Sequence, residues 1–88
     1  RYYEDGLHAH GSGNWAEAAR LLRQAVAEDS AFALAALFAA DAASRDEDYA
    51  TQREELARAR RLAGAAPTKI GLLVRTYLAF REQSPALA

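Results

Sequence analysis

The apolar positions of this chain recur at helical spacing. Trp15, Ala18, Leu22, Ala25 and Val26 keep to one face of a 3.6-residue period and predict an amphipathic helix over residues 15–28. Ile70, Leu73, Val74, Tyr77 and Leu78 do the same over 68–82, with Thr68 placed to cap that helix. The run "AFALAALFAADAAS" predicts a helix over 31–44 behind Ser30 as N-cap. The more polar "DYATQREELARARRLA" predicts one over 48–63, stopped by Gly64. Residues 2–10 predict a short opening helix that continues one lying upstream. Breakers cluster between these segments, at Gly11–Asn14, Asp29–Ser30, Ser44–Asp48 and Gly64–Pro67. Connections this short make neighbouring helices antiparallel. Alanine fills about a quarter of the chain and β-branched residues are few, so the fold class is all-α.

The pattern also repeats. Trp15 and Tyr49, Leu22 and Leu56, and Ala25 and Ala59 all lie 34 residues apart. Asn14 pairs with Asp48 and Ser30 with Gly64 at the same offset. Upstream, Gly6, Ala40 and Val74 fall into register, as do Ala9, Ala43 and Tyr77, and Tyr2, Ala36 and Ile70. The small residues Gly6 and Ala18 mark where two helices of a hairpin cross, because small side chains let backbones approach. Trp15 and Leu22 fill the space on either side. Each hairpin leaves an apolar face that the next hairpin covers.

A 34-residue unit of two helices, with "GNWAEAARLLRQAVAED" as its best-formed second helix, resembles the tetratricopeptide repeat. The likeness spans nearly the whole chain as two and a half copies: about 1–30, 31–64 and the first helix of a third at 67–83, in a single domain. There are departures. Ala9 and Ala43 stand where a large aromatic is usual, Asp5 replaces a leucine, Gln52 a packing alanine, and Ser30 and Gly64 the closing proline. The resemblance implies antiparallel hairpins stacked as an α-α superhelix of about five helices.

It also implies a function. First helices of such arrays line a concave groove that holds a peptide or partner helix. Carried over by register, that groove shows Tyr3, Leu7 and His10, then Leu34, Leu37, Asp41 and Arg45, then Arg75 and Leu78. The basic clamp that some members close on a C-terminal carboxylate is missing, since Tyr3, Leu7, Leu34 and Leu37 occupy those places. A mixed apolar groove edged by Asp41 and Arg45 suits an apolar helix or peptide. The expected partner is therefore a protein or peptide, with no catalysis. The runner-up is the helical-repeat regulatory segment of a bacterial transcriptional activator or signalling protein. The last helix has no visible partner for Ile70, Leu73 and Tyr77, so either further chain or self-association through that face is expected to cover it.

Composition narrows the field further. Eleven basic and twelve acidic residues leave a net charge of −1, which gives no electrostatic case for nucleic acid or an anionic membrane. No apolar run reaches the ~18–20 residues of a membrane span. The absence of cysteine rules out disulfides and thiolate metal sites and fits a reducing, cytoplasmic setting. The chain starts without methionine and reads as a piece of a longer protein.

Three stretches invite chemistry. His8 and His10 form an H-x-H pair, but on a helix residues two apart point about 200° from each other and cannot share a metal ion. "GSG" lacks the preceding strand and the Lys-Ser/Thr of a phosphate loop, so Gly11 and Gly13 serve as a helix stop and tight corner. The acidic "RDEDY" lacks the ligand spacing of a calcium loop and complements a helix N-terminus instead. Arg53, Arg58, Arg60 and Arg61 interleave with Glu54 and Glu55 as a solvated face. No cofactor is expected. Of the two histidines only His10 keeps a role, as a groove contact.

Overall fold

The computed structural model describes residues 1–29, 32–65 and 69–83. Five helices follow one another: α1 Tyr2–Gly11, α2 Trp15–Glu28, α3 Ala33–Arg45, α4 Tyr49–Ala65 and α5 Lys69–Gln83. Every predicted helix is present, with ends within two residues of those read from the sequence. No strand occurs among the described residues. None of the helices is long and apolar enough to cross a membrane. Gly64 is not the stop of α4; it lies inside the helix, which runs on to Ala65. Phe32 stands at the N-cap of α3, without a side-chain cap. Ser30 and Thr68, expected as caps, lie outside the described residues.

The 34-residue period is built into the two hairpin corners. At the first, the Asn14 N–H bonds the Ala9 carbonyl (2.9 Å) and the Gly13 N–H bonds that of His10 (3.2 Å). At the second, Asp48 bonds Ala43 (2.8 Å) and Glu47 bonds Ser44 (3.0 Å). Each donor and acceptor of the second corner sits 34 positions after its counterpart. This is the Schellman closure, which needs a left-handed residue just beyond the helix end. Gly13 supplies it at φ 76° and Glu47 at φ 60°. Glutamate pays a steric penalty in that region that glycine does not. Glu47→Gly is therefore expected to raise stability by about 0.5–1 kcal/mol in a urea titration, and a loss of stability would refute the assignment of strain. The same corner starts α4: the Asp48 carboxylate accepts from the Thr51 N–H at 3.2 Å. Bonds from the Thr51 hydroxyl, and then from its backbone N–H, hold the Asp48 carboxyl below its ordinary value.

Alanine makes the interior unusually fine-grained. One buried cluster joins Ala9, Ala18, Ala19 and Leu22 of the first hairpin to Ala39, Ala42 and Ala43 of α3. A second joins Ala25 and Val26 to Ala33, Ala35 and Ala36, to Ala59 and Ala63 of α4, and to Val74 and Leu78 of α5. Helix α3 is thus the shared wall between hairpins. Gly6 and Ala18 meet the expectation of a close crossing: a Cβ placed on Gly6 would lie 2.7 Å from Leu22 Cγ. The radius of gyration, 12.0 Å, equals the ~12 Å of a single packed body of this length.

The register breaks at α5. Gly6, Ala40 and Val74 are all buried, as the repeat requires, but Tyr77 is 38% exposed where Ala9 and Ala43 are buried. Leu73 is 59% exposed where its counterpart Ala39 is fully buried. Gly71, Val74 and Leu78 face inward instead. Steric bulk explains the change. Leucine and tyrosine replace the alanines that let α3 approach its neighbours, and the small residue has moved to position 71. Helix α5 therefore meets α3 and α4 through a face turned roughly a quarter of a turn from the repeat's.

Candidate partner-binding groove

The turned α5 leaves a groove between itself and α3. Leu34, Leu37, Phe38 and Asp41 of α3 form one side, and Leu73 and Tyr77 of α5 the other, around a volume of about 360 Å³. The α3 residues share a face because they recur at three- and four-residue spacing. Leu34 and Leu37 rest with their inner surfaces on the core cluster and are half-buried. Leu73 and Tyr77 are one helical turn apart on the exposed side of α5.

One end of the groove is polar and tightly organised. His10 Nε2 donates to Asp41 Oδ2 at 2.7 Å, bridging α1 and α3. Arg45 Nε donates to the same oxygen at 3.0 Å. The Arg45 guanidinium stands 5.0 Å from the Trp15 ring centroid, in cation–π geometry. The His10 ring lies edge-on to Trp15 at 5.1 Å and to Phe38 at 5.7 Å. So Asp41 enters the groove already carrying two donors, and the aromatic rings fix the imidazole between them. The pair Asp41–Arg45 was legible as an i, i+4 contact. His10 and Trp15 as its other members were not, although the register placed His10 and Asp41 on the same face of consecutive first helices.

The remaining expected groove residues divide. Tyr3 packs against Phe32 with ring centroids 4.4 Å apart and the planes tilted by 48°, and burial pushes its hydroxyl above the ordinary tyrosine value. Leu7 packs on the first-hairpin cluster. Both stay half-buried on α1, outside the lining just described. Leu78 is a correction: at 4% exposure it belongs to the core. Arg75 is another, since its guanidinium reaches the Ala63 carbonyl near the end of α4. There a cation complements the helix dipole. Both follow from the turned α5, which puts Leu73 and Tyr77 on the groove instead. Phe38 was also missed, although it follows Leu34 by one helical turn.

The histidine pair separates as the helix geometry demands. His10 turns inward to Asp41, while His8 is exposed. Among the described residues, no three His, Cys, Asp or Glu side chains gather as they would around a metal ion.

The chain matches no family model, no curated protein and no solved structure. The likeness to tetratricopeptide repeats therefore stands on this chain's own period, corners and small-residue register. A second surface, on the α2–α4 side, is lined by Arg20, Arg23 and Arg58. Its charge is internally balanced. Arg20 bonds Glu17 through two nitrogens at 2.8 Å each, and Arg23 reaches Glu54 at 2.7 Å and Glu55 at 3.2 Å. Arg58 lies 3.6 Å from Glu55.

Proposed function

We propose that this chain is a protein-interaction module of the tetratricopeptide kind, which binds an apolar helix or peptide in the groove between α3 and α5 and carries out no chemistry itself. The observation that carries the reading is Leu73, left 59% exposed beside the half-buried Leu34 and Leu37. Exposed apolar area gathered in a concavity, rather than scattered, marks an interaction site. The volume is near the lower end of small-molecule pockets, ~300–1,000 Å³. Such pockets also hold several convergent polar groups, whereas this one offers a single carboxylate already bonded to His10 and Arg45. A helix presenting apolar side chains at i, i+3 and i+4 fits better. The near-neutral charge supports a protein partner over nucleic acid or an anionic membrane. A cytoplasmic setting accords with the cysteine-free sequence.

Selection from a displayed library of helical peptides tests this. Binders with two or more apolar residues at i, i+3 or i+4 are expected. Leu37→Glu should abolish their binding while the helical circular dichroism of the chain stays unchanged. Undiminished binding by that variant would remove the groove from consideration.

A further inference from the structure

We infer that the occupant of the groove is an acidic amphipathic helix, apolar at its centre and carrying Asp or Glu outside that centre on the same face; this rests on the groove being a docking surface. The charge laid along the groove points to it.

Helical spacing sorts the charges. On α3, Leu34, Phe38, Asp41 and Arg45 follow one another at steps of four, three and four residues, which keeps them on one stripe. On α5, Lys69, Leu73, Tyr77 and Arg81 follow at steps of four and make the facing stripe. The apolar members of both stripes line the hollow. Lys69 and Arg81 stand in register one turn outside them, one at each end, and Arg45 stands one turn beyond Asp41. Three cations therefore share these stripes with a single carboxylate. The neighbouring acids fall elsewhere: Asp46 lies about 140° around α3 from Asp41, and Glu82 about 180° around α5 from Leu73. On a chain whose net charge is −1, the groove is a locally positive place. An occupant with carboxylates complements it, and a basic one does not.

The one carboxylate is already engaged, and the nearest cation is already positioned. Asp41 Oδ2 accepts from both His10 and Arg45. Arg45 is tied to Asp41 through Nε and stands 5.0 Å from the Trp15 ring centroid. Its Nη1 and Nη2 make no hydrogen bond among the described residues, and the side chain is 55% exposed. The plane of the guanidinium is thus set before a partner arrives, with an edge open to a carboxylate. Such a fork meets a carboxylate through two parallel bonds and loses less freedom on binding than a mobile one.

The spacing gives the partner's pattern. Lys69 and Arg81 are twelve residues apart, about 18 Å along α5 at the helical rise. A helix lying in the groove places apolar residues at i and i+3 or i+4 over the leucines, and a carboxylate about one to two turns beyond them on each side.

Fluorescence anisotropy with three labelled helical peptides tests the inference. All share the same apolar centre and differ only in the flanking residues, which are Glu, Gln or Lys. The Glu peptide should bind about tenfold more tightly than the Gln peptide at low salt, and the Lys peptide more weakly than both. The gap should shrink as salt approaches ~1 M, where exposed charges are screened within ~3 Å. Arg45→Gln and Lys69→Gln should each narrow the gap by about two- to fivefold and leave the affinity of the Gln peptide as it was. Lys69 belongs to a different helix from the His10, Asp41 and Arg45 cluster, so its result stands whatever Arg45→Gln does to that cluster. Equal binding of the Glu and Gln peptides, or tighter binding of the Lys peptide, would overturn the inference and leave the docking groove standing. A single-stranded oligothymidylate that bound more tightly than the Glu peptide would overturn it as well. If no peptide binds, whatever its flanks, the groove reading falls with it.

Discussion

Leu22→Ala is expected to lower the unfolding free energy by about 2–5 kcal/mol, and to reverse the sign of a second change, Gly6→Ala. Leu22 is fully buried where α1 crosses α2. Gly6 lies under it so closely that a Cβ would come within 2.7 Å of Cγ and 2.9 Å of Cδ2. The Cγ is the branch point of a packed side chain and cannot swing aside. Alone, Gly6→Ala gains up to ~1 kcal/mol of helix propensity but meets an overpacking cost of about 1–3 kcal/mol. A net loss of roughly 1 kcal/mol or more is expected. In the Leu22→Ala background the obstruction is gone, and the same substitution should become neutral or stabilising by up to ~1 kcal/mol. Urea titrations of the four members of this double-mutant cycle, followed by circular dichroism, measure the coupling. Additive effects would show that the two helices do not cross at Gly6.

The second large effect concerns Glu55, which is fully buried in a core built mostly of alanine. Its Oε2 accepts from Arg23 Nε at 3.2 Å, while Oε1 has no hydrogen-bond partner. A buried charge met on one side only is a poor use of a core position, because desolvation outweighs the attraction it recovers. The position 34 residues earlier holds Leu21, half-buried on the first-hairpin cluster. Glu55→Leu restores the residue the repeat uses and should stabilise the fold by about 1–3 kcal/mol. Arg23 keeps Glu54 at 2.7 Å after that change. Arg23→Ala should act in the opposite direction and lose about 1–3 kcal/mol, since it removes the hydrogen bond to the carboxylate and leaves only Arg58 at 3.6 Å. Thermal and urea unfolding of both variants would show it. If Glu55→Leu destabilises, the carboxylate contributes more than the geometry on the page accounts for.

These two cases also show how much the sequence disclosed. Spacing of Trp15, Leu22, Ala25 and Val26 located α2 because a helix that buries one face must repeat its apolar residues at 3.6. The corners were legible from Gly11 to Asn14 and from Ser44 to Asp48, since a chain reversal needs residues that leave the helix cheaply. What the sequence hid was the rotation of α5. Its apolar positions surround much of the helix, so periodicity alone could not choose between the face carrying Leu73 and Tyr77 and the one carrying Val74 and Leu78. Packing volume made that choice, and it moved the α5 side of the groove from Arg75 and Leu78 to Leu73 and Tyr77. Glu55 was read as part of a solvated face for a similar reason: charge pattern along α4 does not reveal which charges lie beneath the arginines of a neighbouring helix.

The groove is the central claim, and amide chemical-shift mapping tests it most directly. The ¹⁵N-labelled chain would be titrated with the tightest peptide from the helical library. The largest shifts are expected at Leu34, Leu37, Phe38, Leu73 and Tyr77, with the α2–α4 side near Arg20, Arg23 and Arg58 unmoved. Shifts confined to the α2–α4 side, with the α3–α5 amides unmoved, would contradict the account.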